Sequence, residues 1–222
     1  MVAELRGLFP SSVRVIELSD PARAEPLYPV EQAAIVRAVD KRKIEFALGR
    51  TAARKALAEL VVAPGPLPHN DDRSVAWPDA AWGSITHADG ICAAVATLRR
   101  DHAGIGIDAE VRGRVRPELW DHVAGPAEIG WFEAAGSTAQ AAERATLLFS
   151  AKETFYKAQF CVSRAWVGFH DVILTIDESH GFTVELLVDV ADAFRRGQRF
   201  TGTWAYSDQH ALTGMVLPLQ SG

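Results

Sequence analysis

No run of eighteen consecutive apolar residues occurs in this 222-residue chain, so no helical membrane span is expected. The first apolar stretch is interrupted by Glu4 and Arg6 and lacks the core of a secretory signal. Cysteine is scarce. Cys92 and Cys161 stand alone in apolar runs, without metal-type spacing, and read as buried free thiols of a reducing, cytoplasmic compartment. Excess positive charge is missing as well, and a formal net charge of −5 argues against a general nucleic-acid binder. There is no Walker loop, no Gly-x-Ser-x-Gly elbow and no His-Glu-x-x-His pair, and the seven histidines scatter without ligand spacing. Gly104-Ile-Gly106-Ile-Asp108-Ala109 fits the letters of a dinucleotide fingerprint, but that fingerprint must open a helix. The continuation from Val111 through Gly113 to Pro117 is a poor helix start, which removes the Rossmann reading.

What is present fits a globular chain with an ample core: 48% hydrophobic residues, in one large domain or two small ones. Val13–Leu18 reads as a strand, and Glu31–Val39 and Lys41–Leu60 as helices, ended by the stretch Pro64–Pro68. Ile91–Leu98 and Ile105–Glu110 are apolar enough for central strands. Glu143–Phe160 reads as a long helix. Val172–Asp177, Phe182–Asp189, Phe200–Tyr206 and Ala211–Leu217 read as an antiparallel meander, with a helical turn at Ala191–Arg196. The organisation changes near residues 99 to 104, with no visible sequence repeat.

Two elements carry chemistry. On the long helix, Leu148, Ala151, Phe155 and Ala158 form one buried stripe, while Glu153 and Lys157 share another face one turn apart. On the strand before it, Ile105, Ile107 and Ala109 point to one side, and Gly106, Asp108 and Glu110 to the other. Two carboxylates on one face repel, so a cation or a shared proton is expected there. A third carboxylate nearby would complete an all-oxygen site of the kind magnesium accepts. Read alone, each element is equally a solvated ion pair or a strand end with exposed acids.

Taken together, the blocks resemble the 4'-phosphopantetheinyl transferases, most closely the branch with the enterobactin synthetase component D subunit and the actinobacterial type II enzymes. The residues carrying this are Trp77-Pro78-Asp79 followed by Gly83-Ser84-Ile85-Thr86-His87, then Gly106–Glu110, then Ala151-Lys152-Glu153 with Lys157, and finally Trp166–Asp171. The match spans about residues 25 to 175, in the family's order. Ala88 stands where many relatives have cysteine, Thr154 where alanine is frequent, and Arg73 is the one basic residue available where relatives carry a lysine before Trp77.

The resemblance implies an α+β fold of two similar halves about a pseudo-twofold, residues 1–102 and 103–222, with coenzyme A in the cleft between them. It implies that Arg42, Arg50, Arg54, Arg73, Ser84, Thr86, His87 and Lys157 meet coenzyme A. It further implies that Asp108, Glu110 and Glu153 hold magnesium, with manganese as substitute, and that Glu153 and Lys157 are catalytic. The expected reaction moves the 4'-phosphopantetheine arm to a serine of an acyl, peptidyl or aryl carrier domain of nonribosomal peptide, polyketide or siderophore synthesis. A monomer is expected, since both halves lie in one chain. Two other classes share these residues: a metal-dependent phosphoester hydrolase, and an inactive coenzyme A-binding partner. Arg112, Arg114 and Arg116, just after the acidic strand, are the expected carrier-docking cluster, and Ile129–Phe132 the next surface to consider.

Overall fold

The protein is described by a computed structural model covering residues 2–219. In chain order it forms α1 (Val2–Gly7), β1 (Arg14–Leu18), α2 (Pro29–Ile35), α3 (Asp40–Glu59), β2 (Ala81–Ala88), β3 (Ile91–Leu98) and β4 (Gly104–Val111). Then follow α4 (Trp120–Val123), α5 (Pro126–Glu133), α6 (Thr138–Ser163), β5 (Val172–Ile176), β6 (Gly181–Leu186), β7 (Arg199–Tyr206) and β8 (His210–Leu217). The strands make two antiparallel sheets, ordered β1-β3-β2 and β4-β8-β7-β6-β5. Each sheet repeats one plan. A first strand leads into a short and then a long helix, and a meander returns its last strand alongside the first.

Alternation along β3 decides the layering. Cys92, Ala94 and Ala96 face Leu48, Ala52 and Leu57 of α3. Their neighbours Ile91, Ala93 and Val95 face Ile105, Ile107 and Ala109 of β4 and Leu212 of β8. Beyond the second sheet, Leu148, Ala151, Phe155 and Ala158 of α6 pack with Leu174, Val184 and Met215. The order is therefore α3, first sheet, second sheet, α6. Leu5 and Leu8 near the start of the chain join the core shared by the two sheets, and Thr203 Oγ1 donates to the Leu8 carbonyl at 2.7 Å.

Local signals explain the joints. Asp89-Gly90, with Gly90 at φ +80°, makes the two-residue hairpin between β2 and β3. Pro29 and Pro126 open the short helices α2 and α5. Ser137 caps α6 by accepting from Gln140 N–H at 3.3 Å, and Arg164 ends it in the left-handed region at φ 54°. Two expectations are corrected. β4 is an edge strand of its sheet, not a central one. The segment 191–196 is a tight turn closed by an Ala191–Phe194 bridge, not a helical turn, because the Phe194 carbonyl accepts from Val190 N–H at 2.9 Å while Phe194 N–H donates to the Ala191 carbonyl at 2.9 Å.

Candidate active site

The site forms where α6 lies on β4. Gly104 and Gly106 have no side chain to hold the helix off. A Cβ on Gly106 would enter the shell of the Thr154 carbonyl oxygen and sit 3.0 Å from Ala158 N. Two residues further along the same face, Asp108 meets Lys157 with Nζ to Oδ1 at 2.6 Å, and Nζ also donates to the Ile107 carbonyl at 3.2 Å. Asp108 is buried, and among the described residues its Oδ2 has no partner. Glu153 and Lys157 flank this seam from α6, as the helical spacing required.

The seam's electrostatics follow from burial. Desolvation, with the like charge of Asp108, pushes Glu110 up to about 7. Desolvation also raises Glu153, against the pull of Lys157. For Lys157 burial works against the charge, but Asp108 and Glu153 outweigh it and its pKa rises. Glu110 leans on Arg114 at 3.1 Å. Among the described residues, no three His, Cys, Asp or Glu side chains converge as a ready metal cage. Lys157 occupies one oxygen of Asp108, and Arg114 one of Glu110.

Cations gather on the other wall. Arg42 hydrogen-bonds His87 at the mouth, and Glu45 Oε2 stands 3.6 Å from each of them. Burial and then Arg42 depress His87, which also feels Lys157 and Asp108 across the cleft. Arg50 is buried, donates through Nε to the Leu67 carbonyl at 2.7 Å and stacks on Phe46. Among the described residues its Nη2 is a buried donor without a partner, and burial brings the guanidinium down to about 10. Burial together with Arg50, Arg42 and Arg73 depresses His69, so all three arginines act on that ring. A cleft of about 300 Å³ runs from Arg73 past Trp77, Ser84 and Tyr156 to Lys157 and Arg164.

A family model described as "4'-phosphopantetheinyl transferase N-terminal domain" matches residues 30–97, and one described as "4'-phosphopantetheinyl transferase superfamily" matches residues 104–213. The chain is 35% identical to 4'-phosphopantetheinyl transferase Svp of Streptomyces mobaraensis, over 88% of this chain and 80% of that protein. It is 32% identical to 4'-phosphopantetheinyl transferase Npt of Nocardia iowensis, over 96% of this chain and 99% of that protein. Against enterobactin synthase component D of Escherichia coli K12, identity is 35% over 63% of this chain and 66% of the relative. The chain belongs to the 4'-phosphopantetheinyl transferases.

Within that family frame, several residues do other work than the resemblance implied. Arg54 is held by the chain's own acids, though its Nη2 has no partner among the described residues. It is buried against Glu31 at 3.1 Å, with Glu25 at 3.8 Å. Ser84 and Thr86 accept the backbone N–H groups of Ile107 at 3.2 Å and Ala109 at 3.0 Å, stoppering the open edge of β4. Thr86 also donates to Asp108 at 3.3 Å, so it positions that carboxylate. Arg112 is bound by Glu143 at 3.0 Å and stacks on Tyr206, which withdraws it from the expected docking cluster. Arg114 is held by Glu110 while remaining exposed, and Arg116 is exposed as well.

Sequence reasoning missed Arg164, which donates to Ser74 at 3.2 Å and closes one end of the cleft. Its only signal was a basic residue just past a helix end. It also missed the role of Lys152, buried with Nζ on Glu128 at 2.7 Å and on the carbonyls of Phe169 and Val123. A second cavity of about 170 Å³ beside Glu153 is walled by Tyr156, Trp166 and Phe169.

Proposed function

We propose that this transferase moves the 4'-phosphopantetheine arm of coenzyme A to a serine of an acyl, peptidyl or aryl carrier domain. The observation supporting this reading is the Lys157–Asp108 contact at 2.6 Å, with Lys157 and Arg73 lining one cleft and Arg42, Arg50 and Arg73 all acting on His69. Such a cleft suits a diphosphate, because guanidinium groups bond paired phosphate oxygens. Residues 1–102 supply most of the nucleotide-binding cations and 103–222 the carboxylates, so one chain suffices and a monomer is the working state.

The donor set fits a hard divalent cation. Asp108 keeps a buried oxygen without a partner among the described residues, and burial together with the like charge of Asp108 raises the pKa values of Glu110 and Glu153. Asp108, Glu110 and Glu153 would hold magnesium, or manganese in its place, which when bound neutralises charge on the pyrophosphate and the leaving group. Glu153 accepts the serine proton as the serine oxygen bonds to the phosphorus bearing the pantetheine arm; burial raises its pKa and makes it a stronger proton acceptor than an ordinary carboxylate. The bond to the bridging oxygen breaks, and adenosine 3',5'-bisphosphate departs. Lys157 turns from Asp108 to the departing oxygen, supplying a hydrogen bond to its charge. Arg50 brings to the nucleotide phosphates a donor that has no partner among the described residues, helped by the paired Arg42 and His87 and by Arg73, which lines the cleft.

Incubation of apo carrier with coenzyme A labelled in the pantetheine arm, with magnesium, tests the reading. Label on the carrier serine is the expected result. Free phosphopantetheine would instead make this a hydrolase, and tight binding without turnover would make it a coenzyme A-binding partner. Peptide-synthetase and polyketide carriers are the first substrates to try.

A further inference from the structure

Each long helix carries a buried cation at its fifteenth residue, Arg54 in α3 and Lys152 in α6. Each cation meets the third residue of the short helix before it, a glutamate following an opening proline. Glu31 accepts from Arg54 at 3.1 Å, from Tyr28 N–H at 2.9 Å and from Leu67 N–H at 2.8 Å. Glu128 accepts from Lys152 at 2.7 Å, from Gly125 N–H at 2.8 Å and from Leu174 N–H at 2.8 Å. Both carboxylates are buried, at 0% and 4% exposure. The donor classes match one for one: the residue before the short helix, a backbone amide further along the chain, and the long-helix cation.

These contacts fix position. A buried charge separated from its partner is costly, so each cation must stay where its glutamate is, and the helix cannot slide or turn freely. Leu67 is gripped twice, its N–H by Glu31 and its carbonyl by Arg50. The Glu31 contacts thereby set the segment that orients Arg50, one turn before Arg54. On α6, Lys152 is the neighbour of Glu153 and lies within five residues of Lys157. Its bonds to the Val123 and Phe169 carbonyls tie that turn to α4 and to the loop before β5.

We propose that Glu31–Arg54 and Glu128–Lys152 are two copies of one positioning clamp, the first serving coenzyme A binding through Arg50 and the second serving turnover through Glu153 and Lys157. This rests on the transferase reading above. Arg54→Met should weaken coenzyme A binding by about tenfold or more, since ångström misplacement of a site group can cost on the order of a hundredfold. In an Arg50→Ala background the same change should add less than about twofold, because a residue acting through another has nothing left to move. Lys152→Met should lower kcat by about tenfold or more, leave coenzyme A affinity within about twofold, and add little to Lys157→Ala.

Fully multiplicative losses in the double variants would mean direct ligand contact and would overturn the proposal. So would well-folded Met variants with wild-type kinetics. Should the Met variants not fold by circular dichroism, Arg54→Lys and Lys152→Arg keep the charge and change its reach, and unchanged kinetics in both would refute the clamp. Hydrogen exchange gives a readout independent of turnover. The Leu67 amide should lose protection only in Arg54 variants and the Leu174 amide only in Lys152 variants; protection unchanged in both sinks the clamp. A wild-type protein that transfers nothing would remove the functional reading, while exchange would still decide the clamp.

Discussion

Replacing Gly106 by alanine should disable the enzyme by a single methyl group. The added carbon would enter the Thr154 carbonyl oxygen and stand 3.0 Å from both Thr154 C and Ala158 N, all backbone atoms. Carbon contacts are comfortable at ~3.5–4.0 Å, so α6 must retreat from β4 by roughly 1 Å. No rotamer change relieves this, since the atoms struck belong to the helix itself. Overpacking of this kind costs about 1–3 kcal/mol, and more where backbone must move. The retreat also carries Glu153 and Lys157 away from Asp108, which Lys157 now reaches at 2.6 Å. Misplacement on that scale is worth on the order of a hundredfold in rate. Lys157 can follow on its long arm, whereas the shorter Glu153 cannot, so the loss should fall on kcat.

Thermal unfolding and carrier-labelling rates at saturating coenzyme A measure both effects in one preparation. Gly130→Ala is the control. That glycine is exposed within α5 and has nothing within 4 Å of an added Cβ, so alanine there should stabilise by about 0.5–1 kcal/mol through helix propensity. A Gly106→Ala protein with wild-type melting and turnover would show that α6 is not pressed onto β4, and the account of the seam would fail.

Asp108→Asn should lower turnover by about a hundredfold or more with the fold retained, because the seam loses its buried anion; near-normal rates at saturating magnesium would contradict that role. Arg50→Ala should weaken coenzyme A by roughly ten- to a hundredfold in calorimetry, the worth of a charge-assisted bond of ~1.5–3 kcal/mol. Undiminished discrimination against 3'-dephospho-coenzyme A would place Arg50 elsewhere than the 3'-phosphate. Metal-free stability should fall as pH rises from about 4.5 to about 7, because Glu110 holds its proton to about 7 when folded and releases it near 4.5 when unfolded. The loss should be on the order of 3 kcal/mol, and Glu110→Gln should flatten it in denaturant titrations at pH 5 and pH 8.

The strands and long helices were legible because their periodicities are local: alternation placed Asp108 and Glu110 on one face, and the 3.6-residue repeat put Glu153 beside Lys157. The seam's closeness was half legible. Glycine at 106 announced room, but not that a helix backbone would fill it. Arg54 misled because a cation one turn from Arg50 looks like part of the same phosphate-binding row; its partner Glu31 lies 23 residues away in sequence, across a turn. Nor could spacing show that Ser84 and Thr86 would bond a strand from another sheet. The internal repeat stayed hidden because only Pro-x-Glu and a distant cation survive of it in sequence, and Arg54 and Lys152 share charge but not identity.

The cations nearest the seam are paired with the chain's own acids: Lys157 with Asp108, Arg114 with Glu110, and Arg42 with Glu45. Phosphates compete for those cations and win readily, since each offers several strong acceptor oxygens. Lys157 and Arg114, once drawn away, uncover Asp108 and Glu110; burial already disfavours bare charge at Glu110, and the uncovered carboxylates attract a divalent cation. Coenzyme A and metal should therefore bind with positive coupling, each tightening the other by the same factor. Calorimetric coenzyme A titrations with and without magnesium give that factor directly. Five- to a hundredfold tighter binding with metal is the range typical of such coupling, and Asp108→Asn should shrink it. Equal affinities in both conditions would mean that the internal pairs are surface decoration, and that the cations were available to the substrate from the start.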